Sequence, residues 1–200
     1  MKLRWGKVEV TGGFLLVMAW LNYTDTQRLL PAALCAAAAH ELGHWAVIRL
    51  LGGRVCALRL SAVGAEMVLE RSLSYGRELC SALAGPAVNL LLAGWCSRCE
   101  GEQLLVFAGL NFVLAAFNLL PVVPLDGGRA LLCAVCLLTD PERAQLVCGW
   151  VERVTLAGVS LLAAVCFGCG GGVTLPLCAL WILMGRKMTE KGVVKVARNR

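Results

Sequence analysis

Charge is scarce in this sequence, and histidine is scarcer. Asp, Glu, Lys and Arg make up 16% of the 200 residues against a hydrophobic share of 58%, and only two histidines occur. An ordinary soluble domain carries about 25% charged residues. A mean hydropathy of +0.73 is well above what filling one soluble core requires, so the composition is that of a membrane protein. The little charge there is has a net value of +6. It gathers at the ends of apolar stretches, where topology and lipid headgroups account for it, and no nucleic-acid partner is expected.

The apolar stretches predict an all-α polytopic membrane protein. A bilayer-spanning helix needs about 20 apolar residues, each rising ~1.5 Å across a hydrocarbon layer ~30 Å thick. Candidates lie at about 10–22, 29–51, 79–97, 103–120, 144–168 and 173–185, giving about six spans, with a half-helix at 130–138 after a proline-rich break. The first is short unless it extends back to Trp5. It follows basic Lys2, Arg4 and Lys7, but Trp20-Leu-Asn-Tyr23 lacks the small residues of a cleavage site, so a retained helix is expected. Lys and Arg favour the cytoplasmic side. They mark the N-terminus, the 52–78 connection (Arg54, Arg59, Arg71, Arg77) and a tail containing Arg186, Lys187, Lys191, Lys195, Arg198 and Arg200. The expectation is a multi-pass protein of the cell membrane with both termini cytoplasmic. A single membrane-embedded domain covers 1–187 (core 29–139), followed by a basic cytoplasmic tail at 188–200.

The two histidines stand together. His40-Glu41-Leu42-Gly43-His44 has the HExxH spacing, which on a helix puts both imidazoles on one face, a turn apart, where they can share a metal ion. Glu41 then lies where a general base is needed for the water that the metal activates. Gly43 is expected to clear space beside the metal. Such residues cost several kcal/mol each in an apolar span unless they pair or bind something, so the cluster reads as functional.

A catalytic zinc site usually has three protein ligands and an open position. With no third histidine, and Val47 and Leu50 where an extended HExxHxxGxxH motif would continue, the third ligand must be a carboxylate or thiolate. Of the 13 acidic residues, Asp126, Glu152 and Glu66 are the candidates near apolar segments. Glu152 precedes Arg153 and reads equally as an internal ion pair. Asp126 has the better setting, in Asn118-Leu-Leu-Pro-Val-Val-Pro-Leu-Asp-Gly-Gly-Arg129, where Pro121 and Pro124 break the span and two glycines permit close backbone approach. Irregular backbone at membrane depth survives only where it lines a cavity or is buried in protein. An amide such as Asn118 can donate to a developing oxyanion or cap a broken helix end. Eleven cysteines include CxxC pairs at 96/99, 133/136 and 166/169. They read as small buried residues, with Cys96 and Cys99 the pair open to oxidation.

HELGH in the second span and NLLPVVPLDGGR after the fourth resemble the site-2 protease family of intramembrane zinc metalloproteases, in its compact branch typified by the stage IV sporulation protein FB. Ser81-Ala-Leu-Ala-Gly-Pro-Ala-Val-Asn89 resembles the family's AGPxxN element, and 54–71 resembles its short β-rich membrane-associated segment between helices 2 and 3. The resemblance implies one Zn2+ per chain held by His40, His44 and Asp126, with Glu41 as general base and Asn118 and Asn89 binding substrate or stabilising the oxyanion. It also implies regulated intramembrane proteolysis of a membrane-associated protein, and a role in sporulation would follow from it alone. Gly85 and Pro86 are expected to serve close helix packing and a kink. Sporulation-type members often carry a nucleotide-sensing domain after the last span. Here a basic tail stands in that position, so control by a separate membrane regulatory protein is expected. The rival readings are a non-catalytic membrane-protein-binding member of the same fold, which intact Glu41 disfavours, and a metal or proton transporter.

Overall fold

The computed structural model describes residues 2–5, 8–61 and 64–169. The chain divides into two compact units, Met1–Leu119 and Leu120–Arg200.

The first unit contains a four-stranded sheet and four helices. Strands β1 (Lys2–Trp5), β2 (Val8–Thr11), β3 (Val55–Ser61) and β4 (Gly64–Leu69) lie side by side in chain order. The β1/β2 and β3/β4 pairs are antiparallel, while β2 runs parallel to β3 with Glu9 level with Arg59. The parallel join is stabilised by charge: Glu9, nearly buried, accepts from Arg59 Nε at 3.0 Å. The β-rich segment expected at 54–71 is therefore present. Lys2–Trp5 and Val8–Thr11, which include the start of the expected first span and residues that it could borrow, instead form two more strands of the same sheet. Val8 and Val10 suit a strand, but the partner that captures them lies some fifty residues further along the chain.

The helices of this unit are α1 (Gly12–Thr24), α2 (Leu30–Leu50), α3 (Tyr75–Cys96) and α4 (Glu102–Asn118). The starts of α1 and α2 have a local cause. Thr11 Oγ1 accepts from Phe14 N to cap α1. The Asp25 carboxylate accepts from Leu29 N and Leu30 N at 2.9 and 2.7 Å, and Pro31 sits in the first turn of α2. Helix α2 ends in a Schellman turn, with Gly53 N donating to Ile48 O and Gly52 N to Arg49 O. Gly52 has φ +80°, a conformation that L side chains rarely adopt. Helix α3 packs between α2 and α4, which also touch each other.

The second unit contains α5 (Asp126–Leu138) packed on α6 (Pro141–Gly168). Asp140 is the N-cap of α6 and Pro141 starts it. The expected half-helix is α5, extended back to Asp126.

Among the described residues α3 and α6 are long and apolar enough to cross a bilayer, and α4, with 17 residues, is apolar but shorter. The six-span expectation thus stands at two qualifying helices, with physical reasons for the difference. Helix α1 has 13 residues, about 20 Å at ~1.5 Å per residue, because strand β2 takes the residues it would have needed. Helix α2 has 21 residues, but its histidines and Glu41 lower its hydropathy. The expected span at 173–185 and the basic tail lie outside the described residues. Helix α6 exposes Leu146, Val147, Trp150, Val154, Leu161, Leu162, Val165 and Phe167, an apolar surface far larger than isolated surface residues make. The described cysteines are free thiols, Cys96 buried and Cys99 exposed.

Candidate metal centre

Helical periodicity brings His40 and His44 together, and α3 then orients them. His44 Nδ1 donates to the backbone carbonyl of Ser81 at 2.7 Å, and His40 Nδ1 donates to Asn89 Oδ1 at 2.5 Å. The direction of the second bond follows from the rest of the Asn89 amide. Its Nδ2 donates both to Ala36 O at 3.1 Å and to Asn111 Oδ1 at 2.7 Å, so Oδ1 is left to accept. Asn111 is itself held by its Nδ2 donating to Phe107 O at 2.9 Å. Both asparagines are fully buried.

With a proton on each Nδ1, each Nε2 carries a lone pair, and the two Nε2 atoms face each other at 3.0 Å. Two acceptor nitrogens at that separation are placed as a shared cation would hold them. A ligating histidine that donates its other ring N–H to a fixed acceptor is the usual arrangement around a protein metal. Gly85 leaves the room: a Cβ there would overlap His44 Nε2 and come within 2.7 Å of His40 Nε2.

The two glycines of the motif region therefore exchange their expected roles. Gly43 does not clear space beside the metal, since a Cβ on it would meet Ala84 O and Val88 Cγ2 at 2.9 Å. It lets α2 approach the α3 backbone. Gly85, expected to serve helix packing, faces the imidazoles. Asn89 is corrected in the same way. Both of its N–H groups are engaged, so it orients His40 and has no donor left for substrate or oxyanion. Asn118, the last residue of α4, donates from Nδ2 to Leu114 O at 3.0 Å, which uses one N–H and leaves a second.

In the second unit Asp126 is buried at the first position of α5, where the positive end of the helix dipole favours a carboxylate. The Arg129 guanidinium lies 3.7 Å from its Oδ1, one turn on. Gly128 packs flush on the preceding loop, and a Cβ there would fall 2.5 Å from the Val122 carbonyl carbon. Val122 is buried and the Val123–Pro124 peptide is cis. Among the described residues the first unit thus offers two buried imidazoles, His40 and His44, and the second a buried carboxylate, Asp126, as potential metal ligands. A borderline-soft divalent ion such as Zn2+ suits this donor set. Glu41, partly buried, follows His40 on α2. Glu152 lies on α6, outside that group, and Glu66 lies on β4 level with Arg59.

The description of Peptidase family M50 matches residues 101–159. A Synechocystis protein is 31% identical over 82% of this chain and 45% of its own length. Rip3 of Mycobacterium tuberculosis is 29% identical over 90% of this chain and 49% of its own length. Both are named, provisionally, as zinc metalloproteases. The chain is thus similar to Peptidase family M50 over 101–159 and to zinc metalloproteases over most of its length. Its fold is similar to that of the site-2 protease from Methanocaldococcus jannaschii, with a TM-score of 0.68 over 94% of both chains at 19% identity. The chain spans about half the length of the two relatives named above. Around His40 and His44, Asn111 and the Ser81 carbonyl had not been expected from sequence. Asn111 had one signal, a lone amide inside the apolar run 104–117.

Proposed function

We propose that this chain is a zinc endopeptidase that hydrolyses a peptide bond of a membrane-associated protein, within or at the surface of a bilayer that the chain crosses several times. One observation carries the reading. The paired Nε2 atoms of His40 and His44 are turned toward each other by acceptors on α3, against Gly85, where any side chain would overlap them.

In this reading His40, His44 and Asp126 hold one Zn2+, which when bound supplies Lewis acidity toward a carbonyl and an activated water. The Glu41 carboxylate accepts a proton from the attacking water and later delivers it to the leaving amine nitrogen. Ser81 O and Asn89 Oδ1 keep the imidazoles in one tautomer. The second N–H of Asn118 serves the developing oxyanion, a contribution of about 3 kcal/mol where the donor is preorganised. The first turn of α5 and the Arg129 guanidinium both lie beside the Asp126 carboxylate. Among the described residues strand β4 has a neighbour only on its β3 side. Its other edge is where an unwound substrate segment would add as a strand.

The test is co-expression with single-span or membrane-tethered substrates, alongside metal analysis of the purified chain. Glu41→Gln should keep one zinc per chain and lose cleavage, whereas Asp126→Asn should lose both. Full zinc and full activity in Asp126→Asn would remove it as a ligand. Function surviving Glu41→Gln together with ion flux in vesicles would replace the protease by a transporter.

A further inference from the structure

The ends of four elements of the first unit meet away from the metal-binding histidines, and the cleft between them is lined with arginine. It has a volume of about 470 Å³ and is lined by Arg54, Arg71 and Arg77, with Glu70, Ser72 and the Gly52 turn. These residues come from the C-terminal turn of α2, the approach to β3, the exit of β4 and the first turn of α3. The Glu70 N to Arg54 O bond at 3.0 Å ties the walls together. Three cations thus face one carboxylate. The ion pair within the set, Arg54 to Glu70, is 3.9 Å long, with both side chains well exposed, and pairs of that kind contribute little and neutralise little.

Two more features favour an anion. The N-terminus of α3 opens on the cleft, and its N-cap Ser74 makes no side-chain bond to the first-turn N–H groups, so the positive end of the helix dipole is uncapped by that side chain. At the α2 end, the Schellman turn consumes the carbonyls of Ile48 and Arg49, acceptors that would otherwise repel an anion. Depth identifies the kind of anion. Helix α3 is long and apolar enough to cross a bilayer. Tyr75, exposed at its first residue, suits the interface, and Leu83, Leu90 and Leu91 further along are exposed apolar side chains. The cleft therefore lies at the mouth of a span, at headgroup level. Guanidinium forks match phosphate oxygens in pairs.

We infer that this cleft is a binding site for a phosphate group, supplied by the headgroup of an anionic phospholipid. The site is independent of the metal centre and of the proposed protease activity. The test uses the full chain in maltoside micelles, with thermal unfolding followed by tryptophan fluorescence. The titrants are dihexanoyl phosphatidylglycerol, dihexanoyl phosphatidylcholine and inorganic phosphate. The wild type should show a saturable rise in midpoint with phosphatidylglycerol. R54Q/R71Q/R77Q, with zinc content unchanged, should need about tenfold more lipid or more for the same rise. R71K/R77K, which keeps charge but not the fork, should fall between. K195Q/R198Q/R200Q removes the same number of charges from the tail and should titrate like wild type. A response to inorganic phosphate at matching concentrations would make the source a free anion at the same cleft, and a response to both lipids would make the phosphodiester itself the determinant. No rise in the wild type would overturn the inference. So would an unaltered response of the triple variant, or an equal loss in the tail variant.

Discussion

At the residue scale, the environment of each polar side chain decides more than its identity. His40 and His44 have the ring orientation that the proposed metal requires because Asn89 Oδ1 and Ser81 O hold their Nδ1 protons. Asn89→Ala would leave the His40 N–H and the Ala36 carbonyl without that partner, and zinc affinity should fall by roughly 10- to 100-fold, as for other supporting groups around a metal. Competition with a chelator would measure it. Asn111→Ala acts one bond further out. It leaves one buried Asn89 N–H unmatched and should cost about 1–3 kcal/mol of stability, with a smaller loss of zinc affinity than Asn89→Ala. Equal zinc losses in the two variants would mean that Asn111 itself fixes the imidazole. Gly85→Ala places a methyl group against both Nε2 atoms. It should abolish stoichiometric zinc while far-UV circular dichroism keeps its helical signal, whereas Gly94→Ala on the same helix, which meets nothing within 4 Å, should keep zinc.

At the element scale, the termini of helices and the edges of the sheet carry the information. Asp25 caps α2 with two bonds to backbone N–H groups. Asp25→Ala should therefore lower stability by about 1 kcal/mol, within the range for lost N-caps, with zinc binding unaltered once the protein is folded. Strand β4 offers the test of substrate addition. Proline at Val68, whose position is level with Ala57 on β3, should slow cleavage of a membrane-tethered substrate while leaving zinc content at one per chain. Unchanged turnover would remove the edge from the mechanism. HELGH was legible at this scale because a helical repeat is a local rule, and the half-helix after Pro121 was legible because proline ends helices. The join of β2 to β3 was not, because its stabilising Glu9–Arg59 pair spans fifty positions and no local pattern encodes which strand a strand will meet.

At the scale of the whole molecule, the question is how many times the chain crosses the bilayer. Two described helices meet the length and hydropathy that a crossing requires, while α1 is too short and α2 carries the histidines. Both termini on the cytoplasmic side would require an even number of crossings, a point that reporter fusions at residues 1 and 200, with a third between Arg98 and Glu102, would settle directly. The expected result is cytoplasmic signal at both ends and none in the 98–102 loop.

The sequence by itself determined the apolar composition, the HExxH pair, the aspartate after two prolines and the family that they resemble. Each of these depends on residue type and on spacing within one element or one loop. Only the tertiary structure decided that Gly85 rather than Gly43 lies against the imidazoles, that Asn89 is hydrogen-bonded to His40, and that the N-terminal residues join the sheet. These depend on which backbone lies against which side chain. Packing between distant segments settles that, and a one-dimensional pattern of hydrophobic and polar residues leaves it open.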